Sequence, residues 1–219
     1  MKPEVDLKNF RLRRIGEKEY RHALLALYWP IYILIFILIE NFITGGFHEM
    51  HMPLDDLIPF NEWFVIPYCV WYFVWSLPLL LYVVFDVKSF RKLSYFLIAA
   101  YTVCHITYLV YPTCQCLRPE VFPRENFLTF VVSLIYSADT STNVCPSMHV
   151  VGSFAAAFSV THSKLFRDKK WVIAVFWVLA VLISLSTLFM KQHSVIDVMW
   201  GVILSAVCYI IFYRVIRFD

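Results

Sequence analysis

Two histidines and one aspartate are the residues of this 219-residue chain with the clearest capacity for chemistry. His193 and Asp197 are four positions apart, so a helix would place them on one face, where the carboxylate can contact an imidazole nitrogen. A carboxylate that accepts from one ring nitrogen fixes the tautomer and makes the other nitrogen a better nucleophile or base. His149, in a separate segment, would supply a second proton-transferring group.

The segment that contains His149 also indicates the charge of the substrate. Pro146 suits a first helical turn, because its missing N–H would be unpaired there. The free amides of such a turn favour a phosphate group, and Ser147 adds a hydroxyl donor. Arg118 and Lys191 could neutralise phosphate charge in a transition state, arginine as a bidentate clamp. The predicted catalytic residues are His149, His193 and Asp197, and the predicted phosphate-binding residues are Arg118, Ser147 and Lys191.

The composition indicates that membrane helices position these residues. Hydrophobic residues make up 60% of the chain and the mean hydropathy is +0.67, whereas soluble domains have roughly 45–50% apolar residues. The length predicts one membrane-embedded domain over residues 1–219. The net charge of +3 does not indicate a nucleic-acid partner, because the basic residues form no separate basic domain with interleaved aromatics.

Apolar segments of about 20 residues can cross the roughly 30 Å hydrocarbon layer as helices. We expect six, of which the fourth is shorter and rich in small residues, at residues 23–43, 63–85, 93–111, 146–162, 171–190 and 195–215. The apolar run Phe127–Ile135 is too short to cross, so it should lie in the interface or fold over the bundle. The predicted fold is an all-α polytopic bundle of six transmembrane helices with a compact outer loop.

The positions of the basic residues predict the orientation of this bundle, since cytoplasmic segments collect positive charge. With the N-terminus inside, only Arg118, Arg124 and Lys191 of the 19 Lys and Arg residues fall in outer segments. Both termini are therefore expected in the cytoplasm and the histidines on the extracytoplasmic side. The short chain with minimal tails is typical of a bacterial protein of the plasma membrane.

Small residues predict how the two histidine-bearing helices meet. Gly201 and Ser205 follow His193 and Asp197 at steps of four on one helix face. Gly152 and Ala156 have matching spacing on the fourth helix. Such tracks let membrane helices approach closely. We expect the two tracks to face each other.

Three cysteines, Cys114, Cys116 and Cys145, belong to one outer loop. In an oxidising compartment they permit a disulfide that ties the loop to the fourth helix, and free thiols fit the sequence equally well. A structural zinc site would need a fourth ligand, which the sequence does not identify nearby.

Three short blocks resemble the membrane-embedded type 2 phosphatidic acid phosphatase superfamily. They are LRP at Leu117–Pro119, PSMH at Pro146–His149 and STLFMKQHSVID at Ser186–Asp197. The resemblance implies that His193 attacks phosphorus, that Asp197 orients it and that His149 protonates the leaving oxygen. It further implies that Arg118 and Ser147 bind phosphate oxygens. A lipid phosphate in the bilayer would be the substrate, with no metal or other cofactor.

The chain departs from the phosphatase pattern at two positions. Tyr111 and Thr187 stand where that pattern has lysine and arginine, and the third block is similar to the branch of inositol phosphorylceramide synthases and related lipid phosphotransferases. The leading hypothesis is hydrolysis of phosphatidate, phosphatidylglycerophosphate or an isoprenoid phosphate or diphosphate through a phosphohistidine. The alternative is transfer of a phosphate-containing headgroup to an alcohol. A transporter or scaffold is a third hypothesis, although no broken helix or inverted repeat is evident.

Overall fold

The computed structural model describes residues 2–6 and 8–218, and its main elements are helices. The α-helices of these residues are α1 (Tyr28–Phe42), α2 (Pro53–Leu57), α3 (Val65–Phe85), α4 (Val87–Val110), α5 (Phe127–Ala138), α6 (Met148–His162), α7 (Lys170–Phe189) and α8 (Val195–Tyr209). Two short strands, β1 (His48–Glu49) and β2 (Thr113–Cys114), pair in parallel and join two of the connecting segments. The prediction of an all-α protein is confirmed.

Five helical segments of the described chain are long and apolar enough to cross a membrane. They are Arg21–Phe42, Glu62–Phe85, Val87–Val110, Lys170–Phe189 and Val195–Val215. These correspond to five of the six predicted spans. The sixth predicted span is α6, which has 15 residues and is therefore about 22 Å long, shorter than the hydrocarbon layer.

The short helix α6 lies at the centre of the bundle. It packs against α3, α4, α7 and α8, and most of its residues are buried. Ala155, Ala156 and Ala157 are fully buried, because small side chains let the surrounding helices come close. The neighbouring helices thus surround the element that carries His149.

The prediction about small residues was right for α8 and wrong for α6. A Cβ atom on Gly201 would lie 2.9 Å from the Cβ atom of Val150, so α8 does approach α6 at this glycine. A Cβ atom on Gly152 would instead lie 2.6 Å from the hydroxyl of Tyr101 and 3.0 Å from Nε1 of Trp71. The glycine of α6 therefore makes room for aromatic side chains of α4 and α3.

The apolar run expected to lie in the interface or to fold over the bundle is the helix α5. Its residue Val132 is fully buried and packs in a cluster with Val65, Tyr68 and Met190. The hydroxyl of Tyr136 donates to the carbonyl of Met190. The helix α5 thus covers the end of the bundle that carries the histidines.

The opposite end of the bundle is held by Asp86. Its carboxylate accepts from the N–H of Ser89 at 3.1 Å and from the hydroxyl of Ser163 at 2.8 Å. It therefore caps α4 and joins it to the connection between α6 and α7. The N-terminal segment lies at this end, since Glu4 forms an ion pair with Lys164.

Candidate active site

His193 and Asp197 are in contact at the start of α8. Both side chains are buried, and Nδ1 of His193 lies 3.3 Å from Oδ2 of Asp197. The same carboxylate oxygen accepts from the N–H of Ser194 at 2.9 Å, as in a capping box at the first turn of a helix. This arrangement occupies Nδ1 of the imidazole and leaves Nε2 available to a substrate.

His149 approaches this pair from α6. Its ring centroid lies 5.7 Å from that of His193, 4.5 Å from that of Tyr68 and 4.3 Å from that of Trp71. The two aromatic rings of α3 therefore fix the position of the imidazole. The structure thus brings together a histidine of α6 and a histidine of the turn that directly precedes α8.

Besides Oδ1 of Asp197, which is an acceptor, three side chains around the histidines carry buried hydrogen-bond donors with no partner among the described residues. These atoms are the hydroxyl of Ser147, Nε2 of Gln192 and Nε of Arg118. The backbone N–H of Ser147 donates to the carbonyl of Asp197 at 3.1 Å, which ties the start of α6 to α8. Buried polar groups are normally paired. Unpaired donors at this place are suited to a ligand that accepts hydrogen bonds, such as a phosphate.

Arg118 contacts the site through Gln192. Its guanidinium donates to the carbonyls of Tyr136 at 3.1 Å and Asp139 at 2.8 Å, and it lies over the Tyr136 ring at 4.3 Å. It also donates to Oε1 of Gln192, which leaves the NH₂ group of that amide as a donor beside His193. Burial lowers the pKa of Arg118, but a guanidinium stays charged in proteins.

The ammonium of Lys191 contacts a different part of the chain. It donates to the carbonyl of Asp55 at 2.7 Å, and burial lowers the pKa of Lys191. The backbone of Lys191 has φ of 54°, which is uncommon for a residue other than glycine. This turn lets the N–H groups of Gln192 and His193 both donate to the carbonyl of Thr187, at 2.9 and 3.1 Å. Lys191 thus shapes the turn before His193, and its ammonium is not brought to the histidines.

Asp55 is a site-supporting residue that the sequence reasoning missed. Its side chain is buried and accepts from the N–H of Val195 at 2.8 Å and from the hydroxyl of Ser194 at 2.5 Å. A carboxylate from the segment after α1 therefore caps the N-terminus of α8. The acidic pair after Pro53 was the available signal, but it does not indicate which helix would be capped.

Thr187 and Tyr111, which stand where the phosphatase pattern has cations, bring no positive charge to the histidines. Thr187 is fully buried, and its hydroxyl donates to the carbonyl of Ser184 at 2.8 Å within α7. Tyr111 stacks on His48 with ring centroids 3.9 Å apart. The phosphate-binding region therefore has fewer cations than the phosphatase pattern implies.

A cavity of about 630 Å³ extends from the histidines between α1 and α3. Its polar end includes His149, His193 and Gln192. The remaining wall is mainly aromatic and aliphatic, with side chains from α1, α3, α4 and α5. Trp29 of α1 and Trp75 of α3 also line it, and their rings meet at 4.5 Å. Trp75 lies one helical turn beyond Trp71 on α3, so this contact lies on the cavity wall at the side away from His149.

The cysteines and the acidic residues define no metal centre in the described structure. Within residues 2–6 and 8–218, no group of three or more His, Cys, Asp or Glu side chains is arranged to hold a metal ion. Cys114, Cys116 and Cys145 are free thiols, so the structure has the second of the two alternatives that the sequence permitted.

The fold and the site define a class of protein, an integral membrane protein of apolar helices with a paired-histidine site suited to phosphate. A family model described as the PAP2 superfamily matches residues 89–219, which is more than half of the chain, and the chain belongs to this superfamily. A comparison with curated proteins found no match. Membership supports phosphatase or phosphotransferase activity on a lipid phosphate.

Proposed function

We propose that this protein hydrolyses a lipid phosphate or diphosphate through a phosphohistidine on His193. The observation that supports this most directly is the meeting of His149 and His193, 5.7 Å apart between ring centroids, in one cavity. The buried carboxylate of Asp197 holds one of the two rings. Phosphatidate, phosphatidylglycerophosphate and isoprenoid phosphates are the substrates to be compared.

In the proposed first step, Nε2 of His193 attacks phosphorus while the bond from phosphorus to the lipid oxygen breaks. His149, protonated, gives its proton to that oxygen. In the second step, water attacks the phosphohistidine, the phosphorus–nitrogen bond breaks, and His149 takes the proton of the water. Asp197 stabilises the charge on His193, while Arg118, Gln192 and Ser147 donate to the phosphate oxygens. Lys191 contributes charge at a longer distance.

The shape of the cavity is suited to a lipid. Glu40 and Trp29 lie at the two ends of the α1 segment beside it, and eleven residues of helix span about 16 Å. This is close to half of a hydrocarbon layer of about 30 Å. Acyl or isoprenoid chains would lie against the aromatic wall, with Trp29 and Trp75 beneath their ends, while the phosphate is held at the histidines.

We also propose that α6 is a sixth crossing, within a single domain over residues 1–219. The enclosure of α6 by α3, α4, α7 and α8 supports this, because neighbouring helices can shield the ends of a short span. The few basic residues at the histidine end favour an extracytoplasmic site and cytoplasmic termini in a bacterial plasma membrane.

Transfer to an alcohol, as in the inositol phosphorylceramide synthase-like branch, is the alternative. The positions of Thr187 and Tyr111 favour it, since neither provides a cation near the histidines. A phosphomonoester dianion needs more neutralisation than the single negative charge of a phosphodiester. A phosphorus–nitrogen bond at His193 would form in both reactions, and in the transfer of a phosphate-containing headgroup the headgroup would stay on the phosphorus until the alcohol attacks.

The test is to trap the covalent intermediate. The purified full chain is incubated with lipid carrying labelled phosphate, and the protein is then separated in alkali. A phosphoramidate survives alkali and is lost in acid, so the label should remain with the protein only in alkali. His193→Ala should remove both the label and the turnover.

The matched control is His162→Ala, because His162 lies near the other end of α6, beside Tyr209 and Tyr213. This variant should retain the label. Full turnover by folded His193→Ala, or no release or transfer of phosphate by the wild type from any lipid in the panel, would refute the proposal. Turnover should persist in EDTA, because no step uses a metal.

A further inference from the structure

The connection between α5 and α6 contributes a second polar surface to the cavity. It consists of four residues that line the cavity, Asp139, Thr140, Thr142 and Asn143, and is called the acceptor lip below. None of these residues was predicted to be part of the site. The lip lies beside Arg118, which donates to the carbonyls of Asp139 at 2.8 Å and Thr140 at 2.9 Å.

Glu40, at the end of α1, takes up the hydrogen-bond donors of the lip. Its carboxylate accepts from the hydroxyl of Thr140, from the hydroxyl of Thr142 at 3.2 Å and from the amide Nδ2 of Asn143 at 2.6 Å. The two threonine hydroxyls also contact each other at 2.8 Å. Because each hydroxyl hydrogen is used inside this cluster, the threonine oxygens offer the cavity lone pairs only.

Two further acceptors of the lip lack a full set of hydrogen-bond donors. Asn143 is 4% exposed, and its Oδ1 atom has no hydrogen-bond partner among the described residues. The carboxylate of Asp139 accepts from the hydroxyl of Tyr68 at 3.2 Å. Burial raises the pKa of Asp139, as does the nearby Glu40, while His193, Arg118 and Tyr68 act in the opposite direction. A buried acceptor without a partner is costly, so Oδ1 of Asn143 is suited to a donor from a ligand, and the carboxylate of Asp139 has lone pairs left for a second donor.

The lip and the histidine region therefore differ in the chemistry that they present. Arg118 occupies the oxygen of Gln192 and leaves its NH₂ group, whereas Glu40 occupies the NH₂ group of Asn143 and leaves its oxygen. A phosphate accepts hydrogen bonds and suits the first region. It would be repelled by a surface of carboxylate, carbonyl and hydroxyl lone pairs.

We propose that the acceptor lip binds a hydroxyl- or ammonium-bearing group beside the phosphate. This inference rests on the proposed function, because it places the group next to a phosphate held at His193. The group has two sources, the headgroup of a phosphodiester lipid or a free alcohol or amine. The shared chemistry is a hydrogen-bond donor without negative charge.

With a free alcohol, the reaction would end in transfer. The alcohol oxygen attacks the phosphohistidine, the phosphorus–nitrogen bond breaks, and the hydroxyl proton passes to His149. The product from glycerol is glycerol phosphate in place of inorganic phosphate. Atoms and charge balance without any further reactant.

The experiment compares substrates and separates the two sources. In the first arm, the purified full chain receives phosphatidate, phosphatidylglycerol or phosphatidylethanolamine. In the second arm, it receives phosphatidate with free glycerol, and glycerol phosphate is measured beside inorganic phosphate. A headgroup as the ligand predicts higher kcat/KM for the phosphodiesters, and a free alcohol predicts transfer in the second arm.

Glu40→Gln is the test variant, because an amide would return a donor to the cluster. We expect the reaction that uses the lip to fall about tenfold, the effect of one lost hydrogen bond of roughly 1.4 kcal/mol, with release of phosphate from phosphatidate alone changed by less than about twofold. Glu62→Gln is the matched control. Glu62 is also buried and pairs with Arg124 at 2.7 Å, so it holds the segment before α5 and not the connection that forms the lip, and it should change all substrates alike.

A proportional loss on every substrate with Glu40→Gln would show that the cluster only supports the loop and would overturn the inference. Equal rates on all lipids together with no transfer would do the same. If Glu40→Gln is unfolded in a thermal melt, Thr142→Val provides the milder test, since it removes one oxygen of the lip.

A binding experiment tests this inference separately from the proposed function. His193→Ala protein, which should not turn over, is titrated with vesicles of phosphatidylglycerol or of phosphatidate. Preference for the phosphodiester that Thr142→Val weakens supports the lip even if the histidine mechanism is wrong. Absence of that preference together with no transfer to glycerol, while the wild type still forms the phosphohistidine, overturns the lip alone.

Discussion

The part of the chain that matches the superfamily and the 88 residues before it contribute differently to the site. Residues 89–219 contain both histidines, Asp197 and the side chains proposed to donate hydrogen bonds to the phosphate. The preceding residues supply supports, namely the caps and side walls formed by Asp55, Glu40 and Trp29. The matched part thus contains the groups that would exchange protons and phosphate, and the preceding part contains groups that hold them in place.

Substitutions in the two parts are therefore expected to have different effects. A change at His149, His193 or Asp197 in the matched part should remove the chemistry from every substrate. A change in the preceding part should alter geometry or the choice of substrate while the chemistry persists. The four predictions below test this distinction, in order of expected effect.

The largest effect is expected from Asp197→Asn in the matched part. An amide cannot hold the imidazole in the same tautomer, so kcat should fall by about 10³- to 10⁴-fold, as for a triad aspartate, with KM changed little. Steady-state kinetics on phosphatidate measures both. Asp86→Asn is the control, because Asp86 is likewise a buried helix cap but lies at the other end of the bundle. It should lower the melting temperature without this loss of kcat.

Asp55→Asn should give the second largest effect. The amide can accept one of the hydrogen bonds that Ser194 and Val195 now donate to the carboxylate, and α8 should lose about 1–3 kcal/mol of local support. Because a small misplacement of a catalytic group is costly, we expect kcat to fall about 10-fold to 100-fold on all lipids. A thermal melt and the kinetics are compared with those of Asp56→Asn, since Asp56 contacts the exposed His51. Equal losses in both variants would contradict a specific role for Asp55.

Trp29→Ala should have a smaller and selective effect. Removing the indole opens the far end of the cavity where it meets Trp75, so longer chains should be accommodated. We expect kcat/KM to rise about threefold for the longest acyl chains relative to the shortest, roughly the value of one buried CH₂ group. A series of phosphatidates measures this ratio. An unchanged chain-length profile would show that the two rings do not limit the lipid.

The smallest effect is expected from Lys191→Met. The ammonium donates to the carbonyl of Asp55, so its charge acts on the phosphate only at a distance, and such effects are weak when screened by salt. The activity should stay within about threefold of the wild type, and the small loss should shrink as the salt concentration rises. A loss well beyond about threefold would mean that Lys191 contacts the phosphate during turnover.

The sequence predicted the helical class, five of the long spans and the contact of His193 with Asp197, because periodicity and hydropathy are local properties. The covering position of α5 was also predicted from its length. The residues around His149 were harder to predict. Its contacts with Tyr68 and Trp71 come from another helix, and a single sequence does not record which helices are neighbours.

The prediction for Gly152 was wrong for the same reason, because a single sequence does not record which helices are neighbours. Its spacing predicts a close approach, but not to which helix, and the bulky neighbours turned out to be Tyr101 and Trp71. Asp55 and Glu40 were likewise visible as acidic residues, Glu40 near the end of the first predicted span and Asp55 in the segment after it. Their partners lie more than 100 positions away along the chain, so only the folded structure reveals what they hold.

The contact between Trp29 and Trp75 has a consequence for the two leaflets of a membrane. With the proposed orientation, a cavity that ends near mid-membrane and has the histidines at its other end would admit lipid from one leaflet only. In vesicles into which the protein is inserted in a single direction, product formation should therefore level off when about half of the lipid is consumed, and continue only as fast as lipid flips between the leaflets.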